Sequence, residues 1–582
     1  MTTTTLLRRW RALAVVTTLA LAAGSCGGDS DEGATDDAID TGVVGDQEVA
    51  DLEPQHGGKL IVGIEAEGNE WTPGPGQFSG GGSSIAYAIY DPLIQLNEDG
   101  DFAPFLAESL EPNEDLTEWT LKLRPGVTFH DGSPLDAETL KWNFDTLHTD
   151  ETSPSAGTVR SFGVTSVDVV DELTVVYRLS EPHAGLPDML RGEIGWPISR
   201  VAYEADPEGF GSAPVGTGPF VFQEWRRDDR FVATRNEDYW FTTPEGDQLP
   251  YLDEIEFRPI PDDDSRSAAL ASDDIQVLQT LRGTSVKRVM DMVDEGGFRA
   301  SLFVGNTSSA TLINTEIPPL DDVRIRQAMA FAGDGEAMAA VRDDDGLVPL
   351  TTQFFGPNSP WFSEVVAEAY PGAAGRDVDQ ATALVEEYKN DPERSDGLPG
   401  GDPITIDYQC QPDPSLLEGA QLLQGLYSEV GIELELQQVD QSTMISNVVG
   451  TGDTEPPFVG NFQLACWRAG GGDGDPLSTL LNFFGPVPTS SGNFTNFTSP
   501  EIDDALERLR GTTDFEERYQ AVEDLGLVVA EQVPLTWNQA TPTLIGYRED
   551  VIGIPTWGFP DGTPGNGTPG ASMHFHQVFL TD

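Results

Sequence analysis

Few residues in this chain of 582 are of types that do chemistry: it holds 3 cysteines and 6 histidines. Met573-His574-Phe575-His576 puts two histidines at i and i+2, on one face of a strand near the C-terminus. Such a pair could be half a metal site, and the simpler reading is a surface strand pair. His130 and His148 are scattered. A hydrolase needs a nucleophile, a base and an orienting group, or two placed carboxylates. No nucleophile-elbow pattern and no HExxH occurs, and DDDG at 343–346 lacks the spacing of a calcium loop. With 98 acidic residues, local carboxylate clusters arise by chance. The chain therefore reads as a non-enzyme with no cofactor and no metal.

Two cysteines sit in alternating apolar runs. Ile404, Ile406, Tyr408 and Cys410 share one strand face, as do Phe458, Phe462, Leu464 and Cys466. Both thiols face a core. A disulfide between Cys410 and Cys466 and a pair of buried free thiols both remain open, because spacing along the chain does not set their distance.

The third cysteine, Cys26, follows a different pattern. Arg8, Arg9 and Arg11 precede ALAVVTTLALAAG at 12–24. That run is too short to span a bilayer, which takes roughly twenty apolar residues. The order of basic, apolar and small segments is that of a secretory signal over 1–25. Ala23, Gly24 and Ser25 directly before Cys26 resemble a bacterial lipobox, with alanine where leucine is commoner. Cys26 is then the lipidated residue, holding the protein at the outer face of the cell membrane. Residues 26–56 are rich in Gly and Asp and carry no Lys or Arg. This composition predicts a disordered acidic tether.

The formal charge is −66, from 98 acids against 32 bases. It excludes nucleic acid as a partner, since that needs a basic footprint, and leaves membrane contact to the lipid anchor alone. Only Lys59, Lys122, Lys141, Lys287 and Lys389 are lysines. An acidic, lysine-poor surface fits a saline habitat.

These residues need a scaffold of about 525 positions, enough for two or three domains. The first part is strand-rich: Leu60, Val62 and Ile64 alternate, and so do Leu173, Val175, Tyr177 and Leu179. Gly126 and Gly132 mark turns. Asp136 caps one helix there. From about 315 helices alternate with strands. Asp321 or Asp322 starts a helix bearing Ile325, Ala328, Met329 and Ala332. Another carries Leu423, Leu426 and Val430 and stops at Gly431. Ser499-Pro500 and Asp514 with Glu517 open two more. Alternation of this kind predicts an α/β lobe with a largely parallel sheet.

The segment IYDPLIQLNEDGDFAPFLAESLEPNEDLTEWTLKLRPGVTFHDGSPLDAETL, 89–140, is similar to the signature region of the extracellular solute-binding proteins of family five, the peptide- and nickel-binding receptors of ABC importers. PVGTGPF (214–220), RNEDYW (235–240), PYLDEIEFRPIPDD (250–263), INTEIPPLDDVRIRQAMAFA (313–332) and FTSPEIDDALERL (497–509) follow in the family's order. The resemblance implies an α/β, two-lobed periplasmic-binding-protein-like fold (type II, cluster C) with an extra inserted domain. One lobe would comprise 57–94, 215–312 and 542–582, the insertion 95–214 and the second lobe 313–541, with hinge crossings near 313 and 541. It implies a monomeric receptor that captures a small molecule, a peptide first and a nickel chelate or oligosaccharide otherwise, and delivers it to an ABC permease.

Site residues follow from the same resemblance. In CWRAGGGDGDP, 466–476, Trp467 matches a cleft tryptophan. The acid that relatives use for a peptide ammonium would fall on Gly470 or Gly472, leaving Asp473 as the nearest carboxylate. Trp71, just after the first strand, is a ligand-binding candidate, and Tyr90 is another. Gln353, Phe354 and Phe355 are candidates from a second-lobe loop. The charge pattern carries one prediction. Thermal stability should rise as sodium chloride goes from low to molar concentration, because screening relieves acidic self-repulsion; a flat or falling curve would remove the saline reading.

Overall fold

The computed structural model describes residues 42–44 and 52–581, apart from 77, 79, 151–152, 154, 282, 343–347, 413, 450–459, 471–473, 486–492 and 569–571. The signal segment, Cys26 and Asp473 lie outside the described residues.

Leu60, Val62 and Ile64, all fully buried, lie on the strand Lys59–Ile64 (β2), which runs parallel to both Glu254–Pro259 (β9) and Val277–Thr280 (β10). Phe220–Arg226 (β7) and Arg230–Arg235 (β8) extend this half-sheet antiparallel to one another. The other half-sheet contains Ile404–Cys410 (β12), Ile432–Gln438 (β13) and Leu464–Gly470 (β14), with β12 parallel to both neighbours. Phe298–Ile313 (β11) and Leu535–Arg548 (β15) join the halves. The result is one 11-stranded sheet, in the order β13-β12-β14-β11-β15-β10-β2-β9-β8-β7, with a short strand, Gly42–Val44 (β1), on β11. That strand falls inside the stretch read as disordered tether. Its backbone pairs antiparallel with Ala300–Leu302, satisfying groups that a bare edge would leave open.

The shared strands do not pair evenly. Residues 298–304 of β11 match 542–548 of β15, and 310–312 match 535–537, but the register shifts between Val304 and Ser308 and again between Ser308 and Ala310. Two residue types favour a break here. Pro542 cannot donate to a ladder, and a glycine, Gly305, weakens a strand interior.

Residues 107–179 build a separate antiparallel sheet, ordered Ala107–Pro112 (β3), Glu118–Leu123 (β4), Thr174–Leu179 (β6), Val164–Asp171 (β5). Its core joins Trp119, Leu121, Val175 and Tyr177 to Leu140 and Phe144 at helix Ala137–Asn143 (α2). Asp136 caps that helix, accepting from Thr139 N–H at 2.8 Å. In the second half-sheet, Ile325, Ala328, Met329 and Ala332 of Val323–Ala332 (α4) and Leu423 and Leu426 of Pro414–Glu429 (α5) bury against Ile404, Ile406 and Ile432. Asp322 is the cap of α4. Gly431 ends α5 at φ +91°.

Two histidines differ from expectation. His574 and His576 lie outside any strand and are 5% and 2% exposed. His574 packs 4.3 Å from Tyr87 and 4.1 Å from Trp557, while His576 lies against Phe105 and Phe241. The C-terminal segment is drawn inward, where Met573 N–H bonds Ser84 Oγ at 3.1 Å. Among the described residues no group of His, Cys, Asp and Glu is arranged to hold a metal ion.

Cys410 and Cys466 form a disulfide across β12 and β14, with Cα atoms 5.0 Å apart. It closes a loop with a sequence separation of 56. Reduction should lower the urea-unfolding free energy by about 2–4 kcal/mol. The paired C410S/C466S variant should start at that lower value and ignore reductant. A wild type equally indifferent to reductant would mean that the bridge carries no stability.

Candidate functional site

Three strand ends arrive at the break between the half-sheets. β10 ends at Thr280, which pairs with Leu544, and β14 ends at Gly470, which pairs with Thr307. β2, beside β10, ends at Ile64. Loops leaving such ends are where α/β sheets present their ligand contacts. Helix Gly80–Ile89 (α1) follows β2 closely. A Cβ on Gly81 would lie 2.9 Å from Gln279 Oε1 and 3.0 Å from Ile64 Cβ, so only glycine lets the helix start this near the strand ends.

Trp71 is 1% exposed, with its ring 5.1 Å from Phe231 and 5.4 Å from Trp225. Its indole N–H has no acceptor among the described residues. Tyr90 is equally buried and donates its hydroxyl to the Trp71 carbonyl at 2.6 Å. The pair thus braces the loop after β2. Gln353 spends its amide on Ser363, donating to the carbonyl at 2.8 Å and accepting from the N–H at 3.4 Å. Phe354 packs edge-on to Phe483, Phe484 and Trp537. With Gln353 and Phe355 it lines an interior cavity of about 10 Å³, which holds about one water. Trp467 is half-buried, 5.6 Å from Phe494, and pairs across to Ala310 at the edge of the ladder break. Of the described candidates, Trp467 lies at the convergence, whereas Trp71 and Tyr90 are packed in the core of the first half, Trp71 against β7 and β8. Gln353, Phe354 and Phe355 are packed inside the second half, where the Gln353 carbonyl accepts from Ser308 Oγ at 3.3 Å.

Sequence reasoning missed a clasp between residues 181–188, which follow the 107–179 sheet and run into helix Leu186–Arg191 (α3), and the second half. Asp475 is fully buried and caps Pro476–Phe484 (α6), accepting from Leu477 N–H at 2.8 Å. Arg518, on Phe515–Gln532 (α7), donates to both carboxylate oxygens at 2.8 and 2.7 Å. Burial pushes the Asp475 carboxyl up, and the Arg518 charge opposes it. Gly185 sits so close that a Cβ would lie 2.9 Å from Asp475 Oδ2. Alongside, Ser478 donates to Asp188 at 2.6 Å, Ala184 N–H to the Arg510 carbonyl at 2.9 Å, and Arg510 meets Glu181 at 3.2 Å. The Asp-Pro pair was a legible helix-start signal, but its arginine partner lies 43 residues on, beyond any local pattern.

His183 lies in the same clasp, fully buried and stacked on Phe162 at 4.4 Å. Neither ring nitrogen has a partner among the described residues. Burial, helped by the charges of Arg510 and Arg518, lowers its pKa to about 3. The unfolded chain takes up this proton near pH 6.5, so the folded state loses stability as pH falls from there toward 3. H183F keeps the stack and removes the proton. Its unfolding free energy should fall less steeply with acid between pH 6.5 and 4, by up to about 1.4 kcal/mol per pH unit. Parallel wild-type and variant curves would mean that His183 is protonated in the fold.

Residues 101–491 match the family of bacterial extracellular solute-binding proteins, family 5 Middle. The glutathione-binding protein GsiB of Pectobacterium atrosepticum is 26% identical over 441 residues, covering 76% of this chain and 80% of its own. The oligopeptide-binding protein AppA of Bacillus subtilis, solved with a nonapeptide, superposes with a TM-score of 0.72 at 18% identity, covering 91% of this chain and 100% of its own. NikZ of Campylobacter jejuni, solved with Ni(L-His), gives 0.68 at 19%, covering 88% and 97%. With the family matched across both half-sheets and the domain between them, this chain belongs to the bacterial extracellular solute-binding proteins of family 5, receptors of the ABC-importer class rather than enzymes.

Proposed function

We propose that this receptor is held at the outer face of the membrane through lipidated Cys26, captures peptides between its two lobes and passes them to an ABC permease. The observation that carries the closing motion is the broken ladder of β11 and β15. Where register shifts, local pairing is already interrupted, so rotation there need not rupture a continuous ladder. The contacts of 181–188 with Asp475, Ser478 and Arg510 are the latch of the closed form. Trp467 is the aromatic wall of the cleft, and the Trp71–Tyr90 brace holds the opposing loop. Asp473 is an acidic candidate on the loop after β14. Peptides are favoured over nickel chelates or oligosaccharides by the glutathione-binding relative and the nonapeptide complex, while NikZ with Ni(L-His) supports the chelate alternative.

The test is thermal unfolding of a C26S chain against di- to pentapeptides, reduced glutathione, nickel–histidine and oligosaccharides. A ligand at 100 times its Kd should stabilise the fold by about 2.7 kcal/mol. X-ray scattering should show contraction with the same ligand. Response to chelates or sugars alone would keep the receptor and discard the peptide. C26S should also move the protein from membrane to medium, and retention would refute the anchor.

A further inference from the structure

The seam strand β11 has two edges. β15 pairs along one of them on both sides of the register shifts. The other edge is shared. β14 pairs with residues 307–313, and β1 sets Gly42, Val43 and Val44 against Leu302, Ser301 and Ala300. Both run antiparallel to β11, so they lie in line, and the end of β14 faces the start of β1 across residues 303–306. β1 thus fills the stretch of edge that β14 leaves. Without it, the backbone groups of 300–302 on that side would stand unpaired beside the shift at Val304. The receiving stretch is itself firmly held. Ala300 and Leu302 are buried, and Ser301 Oγ meets Thr568 Oγ1 at 2.9 Å.

Charge supports the same pairing. Arg299 is the next residue of β11 beyond this short ladder, and its Nε has no hydrogen-bond partner among the described residues. Asp46, Glu48 and Asp51 follow β1 in the sequence. An uncommitted guanidinium there suits an acidic segment. The pairing also changes the leash. Cys26 and Gly42 are sixteen residues apart, whereas Cys26 and Lys59, the start of β2, are thirty-three apart. Fully extended, these lengths reach about 55 Å and about 115 Å. A paired β1 therefore halves the reach from Cys26 to the folded body. It also moves the point of attachment from the start of β2 to the edge of the seam strand.

We infer that Gly42–Val44 is a clip by which the tether docks on the free edge of β11, so that the receptor hangs from its membrane anchor by the seam strand. This rests on the anchor at Cys26 proposed above and says how the anchored body is held. Strand addition at a sheet edge draws its affinity from main-chain hydrogen bonds and asks little of the side chains. A short link to the rest of the chain keeps the effective concentration of the clip high, so three residues suffice. The body is thereby presented to the bilayer, and to a permease in it, by the seam edge.

Two measurements test the clip, and both leave the chain from Lys59 onward unaltered. In the C26S chain, amide exchange across 298–304 should quicken by roughly tenfold when V43P and V44P are introduced together, because proline cannot donate to the ladder. Unchanged exchange overturns the clip. The second uses a chain beginning at Cys26 and coupled through that thiol to a maleimide lipid in a phosphatidylcholine bilayer; Cys410 and Cys466 are bridged and do not compete. Sixteen Gly/Ser residues are inserted either after Gly33 or after Gln47, and neutron reflectometry reads the height of the protein layer. The leash spans roughly 5–6 Å times the square root of its length. Insertion after Gly33 should therefore raise the layer by about 9 Å, and insertion after Gln47, beyond the clip, should not raise it. Equal rises from both, or none from either, overturn the clip. Thiol coupling stands in for acylation, so these outcomes are independent of the anchor reading, which the relocation of C26S decides.

Discussion

Two strands in this protein must serve both halves of one sheet at once. β11 and β15 each begin among the partners of one half and end among those of the other. A single uninterrupted ladder would fix the angle between the halves. The register shifts around Ser308 locally release that constraint while leaving pairs on both sides of the break. The surrounding structure is arranged about this seam. β10 and β14 stop beside it, Gly81 lets α1 start against the strand ends, and the Trp71 carbonyl is tied back by Tyr90. That meeting place is thus a by-product of connectivity: where paired strands pass from one half of the sheet to the other, loops from both sides are delivered to one place.

Charge burial around the seam follows two regimes. Asp475 and Arg518 are desolvated together and satisfied bidentately, an arrangement that adds little net stability but penalises any other placement of the chain. It pins the start of α6 against Gly185, beside the other contacts that residues 181–188 make with Ser478 and Arg510. His183 is buried without such company. In a chain with 98 acids and 32 bases, cations are the scarce component. The arginines present are mostly spent on fixed structural pairs, such as Arg324 with Asp322 and Arg394 with Asp396.

Local chemistry in the sequence revealed much of this. Alternation found β2, β12 and β6. Helix starts at Asp136, Asp322, Ser499 and Asp514 each form the expected side-chain cap. Those signals act over three or four residues, and a sequence displays them directly. The clasp was not legible, because the distance from Asp475 to Arg518 is set by where tertiary packing places α7 relative to α6. The histidines near the C-terminus were misjudged for a related reason. Period-two spacing says that two side chains share a face only if the segment is a strand, and here it is irregular and folded beneath α1. Aromatic residues were ambiguous in kind: Phe354 and Trp467 are both large and apolar, yet one fills a core and the other borders the seam.

The bridge between β12 and β14 has a consequence for the timing of maturation. Those strands share only two paired positions, Tyr408 with Leu464 and Gln409 with Ala465. In the reducing cytoplasm the thiols stay apart, and a nascent chain would hold this half-sheet together by that short ladder and its packing alone. Oxidation outside the cell then welds the strand that borders the seam to its neighbour. The firmness of this half-sheet thus depends on the redox state of the compartment in which the receptor works.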